Sequence, residues 1–265
     1  MLVGGRQIAV LDRGRGPPVV LVHSSGLSAQ QWGPIVPRLA EEHRVLAPDL
    51  LGYGKSDPWP DFDRFDLEAD LAVVRAVIEY AEAPVHLVGH SYGGVLAMLA
   101  AREAPTRVRS LALYEPVAFH VLVGRDPEGE ADLASTDDGT FLDAATGGDV
   151  RWMGRFIDYW GGAGAWSRLA PARQEALAAV GRKTFLEVRA LMAVTLTAEE
   201  WRIPSPTLLM SGTRSPMAAR AVCRILAESL PDARLHVFEG AGHMAPVEEA
   251  RRFWPVLAAW LKEQA

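Results

Sequence analysis

Short runs of apolar, β-branched residues alternate with stretches of helical periodicity in the first half of the chain. The strand-like runs are residues 17–23, 43–50, 85–90 and 108–115. The helical stretches between them are residues 28–42, 64–82 and 91–104. Strands that alternate with helices pair in parallel, because each helix carries the chain back to the same edge of the sheet. The sequence therefore predicts an α/β fold with a mostly parallel central sheet flanked by helices.

This alternation stops at Pro116 and resumes near residue 204. The intervening residues lack a strand-like run and hold four of the eight tryptophans. They begin with an acidic stretch, 125–140, that we interpret as a solvated loop. Strand-like runs return at 205–212 and 233–240, with helical patterns at 217–229 and from about 246. We therefore expect a core formed by residues 1–116 and 204–265, with residues 117–203 inserted as a helical unit.

Composition limits the cellular compartment and the kinds of binding partner that we expect. The net charge is −6 and the lysines and arginines are scattered, so no basic surface for nucleic acid is expected. The single cysteine, Cys223, cannot form an internal disulfide, which fits a reducing compartment. The N-terminal segment does not resemble a signal peptide, and no apolar run is long enough to span a membrane. We expect a cytoplasmic protein without a membrane partner, either a monomer or a homodimer.

The strongest local signal is the Gly-His-Ser-Tyr-Gly run at residues 89–93. It lies after an apolar strand and before a helix, where a serine on a sharp turn has its hydroxyl clear of the sheet. Gly89 and Gly93 fit a turn whose backbone approaches its neighbours too closely for side chains. The alternative is a glycine-rich turn that contains a serine by chance. We interpret Ser91 as a nucleophile.

A serine hydroxyl needs a base before it can attack a carbonyl. Of seven histidines, His86 and His236 lie inside strand-like runs, and His90 adjoins Ser91 with its side chain expected to point away. His243 instead follows the strand 233–240 in a loop of small residues, at the sheet edge where catalytic groups collect in α/β folds. His243 is therefore the predicted general base.

Four motifs together resemble the α/β-hydrolase family. They are the early strand ending in His23, the Asp-x-x-Gly-x-Gly-x-Ser turn at 49–56, the turn at Ser91, and the Gly-x-Gly-His run ending at His243. The resemblance extends over nearly the whole chain and implies that residues 117–203 form a cap (lid) over the site.

The resemblance also implies an oxyanion hole of two backbone N–H groups. One belongs to Tyr92, directly after the nucleophile, and the other maps onto Ser25 in the loop after the first strand. Relatives carry glycine where this chain has Ser24, and His23 is expected to brace the loop rather than to transfer protons.

The third member of the predicted triad departs from the usual pattern. Many relatives carry an aspartate in a Gly-x-x-Asp turn after the strand that follows the cap, and this chain has Ser215 there. Serine cannot stabilise an imidazolium as a carboxylate does. Other relatives, including haloalkane dehalogenases, place the acid at the end of the strand before the cap, where this chain has Glu115. We take Glu115 as the acid; the alternatives are a structural salt bridge at the cap hinge, or a Ser–His dyad.

Aromatic and sulfur-containing side chains supply candidates for the substrate pocket, although at helical spacing such residues more often form a core. The candidates are Ser24, Phe119, Met153, Phe156, Trp160 and Met244.

These features predict a serine hydrolase that cleaves a small to medium apolar carboxylic ester through an acyl-enzyme. No metal-ligand cluster and no dinucleotide-binding motif is evident, so neither a metal nor a cofactor is expected. A C–C bond hydrolase, a lactonase, an amidase or a cofactor-free perhydrolase would use the same triad. A protein of another class, a non-catalytic hydrolase homologue that binds a small molecule under its cap, also stays open.

Overall fold

The computed structural model describes residues 1–60, 65–137 and 139–265, and it confirms the predicted α/β fold. Its strands are β1 (Leu2–Val3), β2 (Arg6–Gln7), β3 (Val10–Arg13), β4 (Pro18–Val22), β5 (Arg44–Pro48), β6 (Val85–His90), β7 (Val108–Tyr114), β8 (Thr207–Gly212) and β9 (Ala233–Phe238). Its helices are α1 (Val36–Leu39), α2 (Leu67–Tyr80), α3 (Tyr92–Glu103), α4 (Pro127–Ala134), α5 (Val150–Gly161), α6 (Ala165–Arg168), α7 (Pro171–Ala179), α8 (Gly181–Met192), α9 (Met217–Ser229), α10 (Ala245–Glu248) and α11 (Ala250–Glu263). Short 3-10 helices cover Ala29–Trp32, Pro105–Arg107, Phe119–Leu122 and Ala198–Trp201.

Seven strands of the described chain form the central sheet in the order β3-β5-β4-β6-β7-β8-β9. All neighbouring pairs in this sheet are parallel except β3 and β5, which are antiparallel. The four strands β4, β6, β7 and β8 are almost entirely buried because helices cover both faces. Their carboxyl ends lie along one edge, and this edge carries the residues that we predict to react.

Two apolar clusters hold the helices against the sheet. One lies between the sheet and α2, α3 and α9, and includes Leu87 and Leu96. The other lies between the opposite face and α1 and α11, and includes Trp32 and Phe253. This burial on both sides fixes the sheet, so the strand ends form a rigid platform.

The chain between β7 and β8 consists of helices and the turns that connect them, as far as it is described. Its described residues form α4 to α8 and two 3-10 helices, and none of them belongs to a strand. A third apolar cluster, with Trp152 and Phe185 at its centre, holds α5, α7 and α8 together. The boundaries 117–203 remain our prediction, and we refer to these residues as the helical insertion. In the described chain, no helix combines the length and apolar character needed to cross a bilayer.

Two predictions of local structure are wrong. Residues 28–42 form a 3-10 turn and the short helix α1 rather than one helix, because Pro34 has no N–H to donate to the preceding turn. The stretch 125–140 is not simply a loop, because part of it forms α4. The Asp126 carboxylate caps α4 by accepting the Gly129 N–H at 2.7 Å. Asp138 and the start of the predicted 64–82 helix lie outside the described residues.

Candidate active site

Ser91 lies between the last residue of β6 and the first residue of α3. Its φ of 56° and ψ of −120° are on the left-handed side of backbone space, which costs of the order of 1–3 kcal/mol for a residue with a side chain. A Cβ on Gly89 would lie 2.6 Å from the Gly93 carbonyl oxygen. The strained turn therefore depends on its glycines, and the Ser91 side chain lines a cavity.

His243 and Glu115 meet at the same edge of the sheet. Glu115 follows β7 and is fully buried, and the loop after β9 carries His243, which is 3% exposed. The His243 Nδ1–H donates to Glu115 Oε2 over 2.6 Å, and Glu115 Oε1 accepts the Gly212 N–H at 2.8 Å. Because a carboxylate can only accept, this contact leaves Nε2 as the unprotonated nitrogen of a neutral imidazole. Glu115 has a φ of 43°, a second strained residue at this edge.

The loop that carries His243 is held by side chains at the ends of two strands. His90 Nε2 contacts the His243 carbonyl oxygen at 2.9 Å, and the Tyr114 hydroxyl donates to the Gly242 carbonyl oxygen at 2.8 Å. Burial lowers the pKa of His90 well below its usual value, so its ring stays neutral and acts as a hydrogen-bond donor here. The His90 side chain is thus committed to the loop, while Ser91 faces the cavity.

Ser215, the position at which relatives commonly carry the acid, is 6% exposed. Among the described residues its hydroxyl has no hydrogen-bond partner. His243 therefore pairs with Glu115 in this structure, and Ser215 does not contribute a carboxylate.

The predicted oxyanion donors have unused backbone N–H groups. Within residues 1–60, 65–137 and 139–265, neither the Ser25 N–H nor the Tyr92 N–H donates to another residue. Tyr92 is the first residue of α3, where helix geometry leaves the N–H free. Ser25 lines the same cavity as Ser91. The Ser91 hydroxyl also lacks a hydrogen bond to any described residue.

The loop before Ser25 is fixed from both sides. The Ser24 N–H and hydroxyl both donate to Gln31 Oε1, at 3.0 and 3.1 Å. His23 Nδ1 contacts the Ser24 carbonyl oxygen at 2.8 Å, and its Nε2 accepts the Leu50 N–H at 3.0 Å. Burial lowers the pKa of His23 to about 4, so the ring is neutral at physiological pH. His23 thus braces the loop.

A cavity of about 980 Å³ opens above Ser91, between the sheet edge and the helical insertion. Three of the predicted pocket residues, Phe119, Phe156 and Trp160, line it. The sequence did not single out Leu122, Tyr159, Val188, Leu191 and Met192, which also form the wall. Apolar residues at helical spacing are a weak sequence signal, because the same spacing occurs in residues that form a core.

The other three predicted pocket residues are not among those that line the cavity. The hydroxyl of Ser24 is bound to Gln31. Met153 is fully buried in the third apolar cluster, beside Trp152. Met244 lies at the start of α10, where its carbonyl oxygen accepts hydrogen bonds from that helix.

The cavity wall carries more negative than positive charge. The charged residues that line it are Arg125, Glu130, Asp137 and Glu199, and Arg125 Nη1 forms an ion pair with Glu199 at 2.6 Å. His120 adds no charge, because burial lowers its pKa to about 4. The described wall therefore favours a neutral ligand over an anionic one.

A buried ionic cluster, which the sequence gave no reason to expect, joins α8 of the insertion to α2 of the core. Lys183 Nζ lies 2.6 Å from both Asp70 Oδ2 and Glu187 Oε1. The Tyr92 hydroxyl donates to the same Asp70 oxygen at 2.9 Å, and the Tyr53 hydroxyl donates to Glu187 Oε2 at 2.8 Å. Lys183 is 2% exposed, and both carboxylates are fully buried. The cluster thus connects the insertion to the element that follows Ser91.

Comparison with known proteins agrees with this geometry. The model of the alpha/beta hydrolase family matches residues 19–256. The chain is 32% identical to a pimeloyl-[acyl-carrier protein] methyl ester esterase of Chromobacterium violaceum, over 95% of this chain and 97% of the esterase. It is 28% identical to a 2-hydroxymuconate semialdehyde hydrolase of a Pseudomonas species, over 99% of this chain and 93% of that protein.

A polyketide synthase of Burkholderia thailandensis is 29% identical over 99% of this chain, which spans only 12% of that protein's length. Among solved structures, a meta-cleavage product hydrolase of Pseudomonas fluorescens superposes with a TM-score of 0.77. That match covers 100% of this chain and 97% of the other, at 22% identity. The family match over most of the chain and the shared fold lead to one conclusion: this chain belongs to the α/β hydrolase family.

Proposed function

We propose that the chain is a serine hydrolase that cleaves small to medium, neutral, apolar carboxylic esters through an acyl-enzyme. The observation that carries this proposal is the 2.6 Å contact between His243 Nδ1 and Glu115, at the sheet edge where Ser91 lines the cavity. In this proposal residues 117–203 act as the cap over that cavity, and the protein works on a small molecule in the cytoplasm.

In the proposed reaction the same groups act first in formation of the acyl-enzyme and then in its hydrolysis. His243 Nε2 accepts the proton of the Ser91 hydroxyl as the oxygen attacks the ester carbonyl carbon. The tetrahedral oxyanion accepts the N–H groups of Ser25 and Tyr92. His243 then protonates the leaving alcohol, the C–O bond breaks, and the acyl group remains on Ser91. Glu115 stabilises the imidazolium throughout.

Hydrolysis of the acyl-enzyme repeats these steps with water as the nucleophile. His243 accepts a proton from water, which attacks the acyl carbon, and the proton returns to the Ser91 oxygen as the acid leaves. The free enzyme is regenerated without a redox change.

Two observations support an ester as the substrate. The chain is similar over nearly its full length to a methyl ester esterase. Among the side chains that line the cavity, Phe119, Phe156 and Leu191 are apolar and sit beside a wall with excess negative charge, an environment suited to a neutral ester with an apolar acyl group.

A C–C bond hydrolase is the second candidate, because the chain is also similar over its length to a 2-hydroxymuconate semialdehyde hydrolase. A muconate carries a carboxylate, which a site would bind most readily with a cation. Arg125, the one basic group (Lys or Arg) on the described cavity wall, is already paired with Glu199. The charge of the cavity therefore favours the ester.

Fluorophosphonate labelling tests the nucleophile. Wild type and Ser215→Ala should label, since Ser215 is a buried serine with no proposed role, and Ser91→Ala should not. Lack of labelling in the wild type would favour a non-catalytic binding protein.

A comparison of substrates tests the ester preference. We expect kcat/KM to be at least about tenfold higher for p-nitrophenyl butyrate than for the p-nitrophenyl monoester of succinic acid, which is about 1.4 kcal/mol. The semialdehyde of 2-hydroxymuconate, assayed in parallel, should be cleaved more slowly than the neutral ester. The reverse order would favour the C–C hydrolase.

A further inference from the structure

Trp160 lies directly against the imidazole of His243. It belongs to α5, in the helical insertion, and lines the cavity. Its ring centroid is 3.7 Å from that of His243, and the two ring planes differ by 20°. This is face-to-face contact, which an aromatic residue placed only to fill a pocket wall does not require.

The stack does not block either imidazole nitrogen of His243. The nitrogens of His243 form hydrogen bonds in the plane of the ring, where Nδ1 already contacts Glu115. Trp160 covers a face of the ring and not its edge. Proton transfer between Nε2 and Ser91, or a leaving alcohol, can therefore take place while the stack is intact.

Trp160 is itself held by other aromatic rings. Phe119 stacks on it with a centroid distance of 6.3 Å and an angle of 19°. Phe156 and Tyr159 contact it edge-on, at 6.3 and 4.9 Å. The orientation of the indole is thus fixed by the insertion rather than by His243 alone.

A charge develops on His243 during the proposed reaction. When Nε2 takes a proton, the positive charge spreads over a ring that is in contact with the negative π face of an indole. Tryptophan is the strongest aromatic partner for a cation, and the attraction grows where water is excluded. His243 is 3% exposed. Since the neutral ring gains much less, the contact acts on the charged state and lowers the barrier rather than only binding substrate.

The groups packed around His243 do not compete for this role. Glu115 is the acid that faces it. His90, with a ring centroid 4.8 Å away, stays neutral because burial lowers its pKa. Tyr114, Tyr159 and Cys223 lie near Glu115, and burial raises their pKa values, so these groups of β7, α5 and α9 stay uncharged.

We propose that Trp160 is a positioning residue of the insertion that holds the His243 imidazole flat and stabilises its protonated form during catalysis. The inference rests on the proposed serine hydrolase function. It assigns the insertion a part in the chemistry beyond covering the cavity.

Three variants test this: Trp160→Phe, Trp160→Leu and Trp160→Met. Phenylalanine keeps an aromatic face, whereas leucine and methionine keep apolar cover of similar size without one. Trp166→Leu is the matched control, because Trp166 is a partly buried tryptophan of the same insertion that is not among the residues lining the cavity. The readouts are kcat, KM and the pH profile of kcat/KM with a p-nitrophenyl ester, on variants whose thermal unfolding shows that they fold.

We expect kcat to fall about tenfold in Trp160→Leu and in Trp160→Met, with KM nearly unchanged, and to fall about threefold or less in Trp160→Phe. The acid limb of the profile should move to lower pH in the leucine and methionine variants of Trp160, because the protonated ring has lost its partner. It should stay close to wild type in Trp160→Phe and in Trp166→Leu. If Trp160→Leu does not fold, Trp160→Met serves as the aliphatic variant to be compared with Trp160→Phe.

The inference is overturned if the aromatic and aliphatic variants share one kcat and one acid limb, or if only KM changes. If the wild type neither reacts with the fluorophosphonate probe nor hydrolyses esters, both the proposed serine hydrolase function and the role of Trp160 are refuted. Active wild type with equal Phe and Leu variants would overturn the role of Trp160 alone.

Discussion

Replacement of Lys183 by methionine should destabilise the fold strongly, because it removes the cation of a buried ionic cluster. Methionine preserves most of the length of the side chain but removes the ammonium that lies 2.6 Å from both Asp70 and Glu187. The hydroxyls of Tyr92 and Tyr53 would remain as partners of these two carboxylates. Two buried negative charges would then face each other without a cation.

The expected loss of stability is about 3–5 kcal/mol, the usual cost of removing one partner of a buried ion pair. For a domain of this size that corresponds to a fall in Tm of roughly 6–20 °C. The loss should also depend on pH. Burial raises the pKa of Glu187, and Lys183 opposes that rise. Without the lysine the folded-state pKa exceeds the unfolded one further, so stability is retained at low pH and lost as pH rises through the folded value.

Urea unfolding of wild type and Lys183→Met at pH 5 and pH 8 measures both effects. Lys262→Met is the matched control, because Lys262 is exposed near the end of α11 and its replacement should change stability by less than about 0.5 kcal/mol. The reasoning is refuted if Lys183→Met is as stable as the control, or if its deficit is larger at pH 5 than at pH 8.

Three further results are expected. Gly89→Ala should destabilise the fold by about 3 kcal/mol, because its Cβ would lie 2.6 Å from backbone atoms. Gly242→Ala meets open space and should unfold near the wild-type temperature. Tyr92→Phe should cost about 1–3 kcal/mol, since buried Asp70 loses a donor; unchanged urea unfolding would contradict this. The wild type should lose stability as pH falls from about 6.5 towards 4, because the lowered pKa values of His23, His86 and His120 make the unfolded chain bind more protons in that range. His23→Gln should reduce the slope of that part of the curve.

The fold was predictable because each strand and helix carries its own local signal. The apolar runs of β4, β6, β7 and β8 are continuous, as expected for strands buried on both faces. The exceptions are short or polar. The strand β3 exposes Asp12 and Arg13, and its pairing depends on β5, far along the chain.

Candidate reacting residues were found at sequence positions that imply a sheet edge, and for Glu115 the resemblance to family members also guided the choice. Ser91, His243 and Glu115 each follow a strand, so a parallel sheet collects them, and the structure brings the latter two within hydrogen-bonding distance. The roles of all three remain proposals until they are tested by substitution.

The ionic cluster and the stack on His243 could not be predicted in this way. Lys183 and Glu187 are four residues apart on α8, a spacing typical of exposed ion pairs, and the partner Asp70 is 113 residues away. Trp160 likewise meets His243 only because the insertion folds back over the sheet. Contacts between elements that are distant in sequence do not produce a periodic residue pattern in either segment.

The most direct test of the proposed triad is kcat/KM for p-nitrophenyl butyrate in Glu115→Gln beside Ser215→Ala. Glutamine keeps the size of the side chain but cannot stabilise an imidazolium, so kcat/KM should fall about 10³–10⁴-fold, while Ser215→Ala stays within about threefold of wild type. Near-wild-type activity in Glu115→Gln would contradict the account, because His243 would then work with another acid or with none.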